Sequence, residues 1–234
     1  MFYDVLEFVA SRFNVPLYDA LRTEERRAFF GDEVRRSLII GVSDGAHTDL
    51  LRRFNVDRLS NDQVLLSIDA DIERLGELRG KLAEAVKDPA AKFTRVYLID
   101  DFTASGTTFF RSTSGKYNGK FQRFKDRFTE QLSEAKPAIE GNALIRVHHF
   151  LGTALAEQNL LRMMEEAQAQ LGASGRWFAG GVKLTFGHIL SRKIPLRRDD
   201  GSAVDSRDEA FLELCRKYYD PTIEKAEHDQ VELQ

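Results

Sequence analysis

Asp100 and Asp101 stand side by side at the end of the apolar run Val96-Tyr97-Leu98-Ile99, and three residues later comes Ser105-Gly106-Thr107-Thr108. A loop of small hydroxyl residues around a glycine can aim backbone N–H groups and hydroxyls at one point, which suits a phosphate, above all where a helix begins. Paired carboxylates do the opposite work: they repel an anion and accept hydrogen bonds from hydroxyl groups, or help to hold a metal ion. A ribose 5-phosphate satisfies both halves, with its phosphate in the loop and its 2- and 3-hydroxyls on the carboxylates.

Other residue groups invite weaker readings. Ser43-Asp44-Gly45 closes the apolar run 38–42, and Arg52-Arg53 follows near enough to supply positive charge to that turn. Asp44, His47 and Asp49 have the residue types of a metal site, although a turn and helix cap uses the same residues. His148-His149 ends an apolar run; neighbours on a strand face opposite ways, so at most one of the pair faces a cleft. Arg192-Lys193 and Arg197-Arg198 surround Pro195 but are followed by Asp199-Asp200, as in a solvated loop, and Cys215 reads as a structural thiol.

The elements that must position these groups alternate. Residues 1–36 carry apolar positions at helical spacing, divided by Pro16, and predict two or three short helices. Residues 36–42, 95–99 and 143–152 are compact apolar runs of the kind found in buried strands, and Val64 to Ile68 is a weaker candidate. Helices are expected over 46–54, 69–86, 121–132, 154–171 and 206–219, with one or two further strands in 177–190. In 121–132, Phe121, Phe124, Phe128 and Leu132 recur at spacings of three and four as one apolar face. On this reading the helix after the acidic pair begins at the Ser105–Thr108 loop. Strands alternating with helices predict an α/β fold with a mostly parallel, Rossmann-like sheet covered on both faces and an N-terminal helical elaboration. The expected organisation is a single domain, with residues 1–36 as a helical cap, 37–171 as the core and 172–234 as a C-terminal extension.

Composition limits the function. In 234 residues the net charge is −3, so no global positive field draws the chain to nucleic acid. One cysteine leaves no intramolecular disulfide framework, no apolar run reaches the length of a membrane span, and the acidic first residues do not resemble a secretory signal; a cytoplasmic protein is expected. Seventeen phenylalanines against one tryptophan favour buried apolar packing over wet aromatic platforms.

The segment 96–108, four apolar residues, two acids, three variable residues and then Ser-Gly-Thr-Thr, resembles the phosphoribosyl-pyrophosphate (PRPP) binding motif of type I phosphoribosyltransferases. The resemblance implies a phosphoribosyltransferase-type sheet, ribose contacts at Asp100 and Asp101, and a 5-phosphate loop made of Ala104, Ser105, Gly106, Thr107 and Thr108. It also implies Mg²⁺ brought with the substrate near the two acids rather than bound by protein ligands alone. Ser43, Asp44 and Gly45 occupy the place of that family's pyrophosphate loop, but Asp44 adds a carboxylate there, and the interval that usually holds a flexible hood looks largely helical. With its many phenylalanines the chain looks most like the phosphoribosyltransferase-like proteins of bacterial conflict systems, including retron-linked antiviral operons. Two functions follow as expectations: phosphoribosyl transfer or N-glycosidic cleavage, or a non-catalytic sensor of PRPP or a nucleotide acting through a partner protein. The resemblance also makes a homodimer an expectation.

Overall fold

The computed structural model describes residues 1–43, 46–69, 71–170 and 178–190. Within them the chain forms helices α1 (Phe2–Arg12), α2 (Glu24–Arg35), α3 (Thr48–Arg53), α4 (Ile72–Ala85), α5 (Lys120–Leu132) and α6 (Ala154–Gln170). Its strands are β1 (Ser37–Gly41), β2 (Val64–Leu65), β3 (Phe93–Thr103), β4 (Arg111–Thr113), β5 (Lys116–Asn118), β6 (Ile139–Thr153) and β7 (Val182–Leu190). Five of these make one sheet in the order β2-β1-β3-β6-β7, with every neighbouring pair parallel. A parallel sheet covered on both faces is built from uninterrupted apolar runs, and all five residues of β1 are buried.

Side-chain alternation divides the sheet between two cores. Leu38, Ile40, Val96, Leu98, Ile145 and Val147 meet α4 through Leu75, Leu78 and Leu82, α5 through its phenylalanines, and α6 through Leu160 and Met163. Seven of the 17 phenylalanines are buried in this core, which fits the expectation drawn from composition. Ile39, Tyr97 and Ile99 face the other way, onto Val5 and Val9 of α1 and Val34 of α2. The N-terminal helices are therefore one of the two layers that close the sheet. The architecture is the expected Rossmann-like α/β fold, and β7 carries the sheet past residue 171.

The structure corrects three local expectations. No helix begins at Ser105–Thr108. Instead the amides of Phe109 and Phe110 both donate to the Gly106 carbonyl, closing a single turn, and the β4–β5 hairpin intervenes before α5 starts at Lys120. The hairpin turns at Ser114 and Gly115, both with positive φ, 52° and 77°, as a two-residue turn matched to strand twist requires. The second correction is at Leu132, which is 37% exposed and so lies off the apolar face formed by Phe121, Phe124 and Phe128. Third, the expected helix over 46–54 shrinks to α3, because His47 adopts the left-handed region (φ 47°) that a helix excludes. The helix expected over 206–219 lies outside the described residues.

Candidate functional site

The chain leaves β1 for β2 on one side and returns to β3 on the other, so the strand order reverses between β1 and β3. In open α/β sheets that switch point leaves a crevice beyond the carboxyl ends of the two strands, where ligands bind. Here the β1 end supplies Ser43 and the β3 end supplies Asp100 and Asp101. The pairing persists to the rim: the Val42 amide donates to the Ile99 carbonyl at 2.8 Å.

Ser43 Oγ donates to Asp100 Oδ1 and lies 3.5 Å from Asp101 Oδ1. Asp100 is 3% exposed, and a buried carboxylate needs partners. Besides Ser43 it has the Asp101 amide at 3.1 Å and the Lys120 ammonium, 3.4 Å from Oδ2. Asp101 is more open. Burial pushes its carboxyl up, but hydrogen bonds, chiefly from the Phe102 amide at 2.8 Å, outweigh this and hold it below the usual carboxylate range.

The loop after β3 is tied down from beneath. Thr153 Oγ1 donates to the Ala104 carbonyl and also accepts the Ala156 amide at 3.1 Å, which caps α6. Asn159 Nδ2 donates to the Ser105 carbonyl at 3.1 Å. Gly106 has φ 79° and sits so close to α6 that an added Cβ would lie 2.8 Å from Leu160 Cγ. Ser105 Oγ and Thr107 Oγ1 are 2.8 Å apart. Among the described residues no intramolecular acceptor engages the amides of Ser105, Gly106 and Thr108, and Ala104, Thr107 and Thr108 are exposed. The loop thus keeps donors free beside a rim of carboxylates, even without a helix start behind it.

Sequence reasoning missed Lys120, which the hairpin delivers to Asp100; the Gly119-Lys120 start of α5 is its only local sign. Asp44, Gly45, the basic segment 192–198 and Cys215 lie outside the described residues. With Asp44 outside the described residues, the loose cluster with His47 and Asp49 is described only in part: Asp49 pairs at 4.0 Å with Arg53, and among the described residues no three metal-ligating side chains come together. The two histidines face opposite ways. His149 lies beside Asp100 in the β3–β6 register, with no exposed surface and both ring nitrogens lacking a hydrogen-bond partner among the described residues. Burial lowers its pKa to about 4 against the opposing pull of Asp100. His148 hydrogen-bonds Thr185 at 3.0 Å on the other face. No helix among the described residues is long and apolar enough to cross a membrane.

No known family model, curated protein or solved structure matches the chain.

Proposed function

We propose that the crevice between β1 and β3 binds a ribose 5-phosphate group, carried by PRPP or by a nucleotide. The observation that supports this reading is the meeting of Ser43, Asp100 and Asp101 at the switch point, beside a loop whose amides at Ser105, Gly106 and Thr108 are unengaged. The phosphate accepts from those amides and from the Ser105 and Thr107 hydroxyls, while Asp101 accepts from the ribose hydroxyls. Asp100 is held by Ser43 and Lys120, so it acts mainly by fixing Lys120 beside the anionic ligand. Mg²⁺ brought with the ligand would be held by the more open Asp101 together with the ligand's own phosphate oxygens, and would supply charge neutralisation there.

For an enzyme of this kind the reaction is pentosyl transfer. A nitrogen nucleophile forms a bond to the anomeric carbon as the bond to pyrophosphate breaks; the electron pair leaves with pyrophosphate, and the nitrogen's proton passes to the departing pyrophosphate or to water. The positive charge that develops on the sugar is met by the carboxylates at the rim. The sensor reading, in which the ligand is held without turnover and reported to a partner in a defence system, is favoured by the saturation of Asp100 and by the burial of His149. Neither group is left as a free base.

Calorimetry with PRPP, ribose 5-phosphate and nucleoside monophosphates, with and without Mg²⁺, tests the site. At least one should bind, and Asp101→Asn should weaken it by about tenfold or more. If wild type binds none of them, or Asp101→Asn binds equally well, the ribose-phosphate reading is wrong. Release of pyrophosphate or free base over time separates enzyme from sensor.

A further inference from the structure

On the face of the sheet opposite Asp100 and His149, a cavity of about 480 Å³ lies between α1, α3 and the strands. That is within the range of small-molecule sites, roughly 300–1,000 Å³. Its apolar walls are Phe2, Ile39, Leu51, Ile99 and Phe150. Its floor is unlike that of a covered parallel sheet, which should be continuously apolar. Tyr97, Arg146 and Lys183 stand side by side across β3, β6 and β7, and the next row of the same face carries Ile99, His148 and Thr185.

The charges in this grid do not balance. Asp4 is already answered by the Tyr97 hydroxyl, which donates at 3.1 Å, by Arg146 Nε at 3.6 Å and by the Met1 amino group at 3.6 Å. Arg146 Nε is nonetheless buried without a hydrogen-bond acceptor among the described residues. Lys183 lines the cavity from an exposed position. Burial lowers the pKa of His148, so the imidazole is neutral near pH 7 and offers hydrogen bonds rather than charge. The surplus is cationic and sits at one end of an apolar chamber. The enclosed Arg146 Nε is costly without an acceptor, Asp4 is shared among three donors, and Lys183 stands exposed beside Arg146, so an anion supplied from solution could pair with both cations.

We infer that this cavity is a second binding site, separate from the crevice at Asp100 and Asp101, for a small organic anion with an apolar body, a carboxylate or phosphate monoester. Its acidic group pairs with Arg146 and Lys183, and its ring or chain fills the space against Leu51, Ile99 and Phe150. The ligand has little in common with a ribose phosphate, because among the described residues lining the cavity Asp4 is the one carboxylate, and it is already paired.

The test is calorimetric titration of the full chain with phenyl phosphate, benzoate and uncharged benzyl alcohol. At least one of the two anions should bind with one-to-one stoichiometry and at least tenfold more tightly than the alcohol. Lys183→Met and Arg146→Met should each weaken it about tenfold, Leu51→Trp should abolish it by filling the chamber, and Asp100→Asn should leave it unchanged. Lys183 is exposed and its methionine variant keeps the apolar stem, so that arm stands even if Arg146→Met does not fold. The inference is overturned if neither anion binds, if the alcohol binds as well as the anions, or if Lys183→Met binds as tightly as wild type. Loss of binding in Asp100→Asn would overturn it too, by placing the anion in the other crevice.

Discussion

The Ser43 hydroxyl, at the end of β1, donates to the Asp100 carboxylate at the end of β3, joining two chain positions 57 residues apart across the switch point of the sheet. The bond answers a carboxylate that is almost wholly buried, and such charge-assisted bonds contribute roughly 1.5–3 kcal/mol. Ser43→Ala should therefore lower unfolding stability by about that much in urea titrations, and Ser43→Thr, which keeps the hydroxyl, should recover most of it. A loss below about 0.5 kcal/mol in the alanine variant would mean that Asp100 does not need Ser43.

Lys120 is the cation that reaches the carboxylates of this crevice, 3.4 Å from Asp100 Oδ2 and only 20% exposed, whereas Arg111 reaches the loop at the Thr107 carbonyl, 3.2 Å away. If a phosphorylated ribose binds there, Lys120→Met should weaken it by about tenfold at low ionic strength. The difference between the two proteins should shrink as salt is added, since screening reduces the contribution of a partly exposed charge. Calorimetric titration with ribose 5-phosphate at low and high salt reads both effects.

The parts of this molecule that were legible in the sequence are those whose signal is local. The buried strands around 95–99 and 143–152 stood out because both of their faces are covered, and the loop 100–108 because its chemistry is contiguous. The β4–β5 hairpin was not legible: Arg111-Ser112-Thr113 and Lys116-Tyr117-Asn118 are mostly exposed and polar, and Ser114-Gly115 is the only turn signal. Lys120 was missed for the same reason, since its approach to Asp100 depends on that hairpin. The row Tyr97, Arg146 and Lys183 was hidden more deeply. Each residue looks like an isolated polar interruption until the register of three strands sets them side by side.

His149 predicts a pH dependence whose sign can be worked out. Its pKa is about 4 in the folded protein because burial disfavours the imidazolium, against roughly 6.5 when unfolded. Above the unfolded value both states are neutral and the group costs nothing. As pH falls from about 6.5 towards 4 the unfolded state takes up the proton first, so stability is lost across that window and levels off below it. Between pH 7.5 and pH 5.0 the loss should be about 2 kcal/mol. His149→Phe, which removes two unpartnered nitrogens between Phe109 and Phe186, should show a pH dependence flatter by that amount. An equal change in urea unfolding free energy between the two pH values in wild type and His149→Phe would show that His149 does not govern it.

Arg95 and Glu33 make a buried pair at 2.6 Å, with side chains 3% and 11% exposed, and Phe8 covers the guanidinium with its ring centroid 4.5 Å away. Removing one partner leaves the other charge buried, which costs roughly 3–5 kcal/mol. Glu33→Ala should show that loss. The double variant Glu33→Leu/Arg95→Met, with no charge left to strand, should be clearly more stable than Glu33→Ala alone. If the double variant loses at least as much, the pair is contributing specific stability beyond charge compensation.

Gly106 has two reasons to be glycine, and a double-mutant cycle can separate them. Its φ of 79° strains any other residue, and a Cβ would lie 2.8 Å from Leu160 Cγ, inside contact distance with a buried side chain. Gly106→Ala should cost about 1–3 kcal/mol from strain and overpacking together. Leu160→Ala alone should cost roughly 2–5 kcal/mol by leaving a cavity. Because the new methyl enters that cavity, the two losses should not add: the double variant should fall short of their sum by about 1 kcal/mol, the part due to the clash. Strict additivity would assign the whole cost of Gly106→Ala to the backbone. The cycle also bears on function, since strain at Gly106 displaces the amides of Ser105, Gly106 and Thr108. Gly106→Ala should therefore weaken ribose 5-phosphate binding even under conditions where the variant remains fully folded.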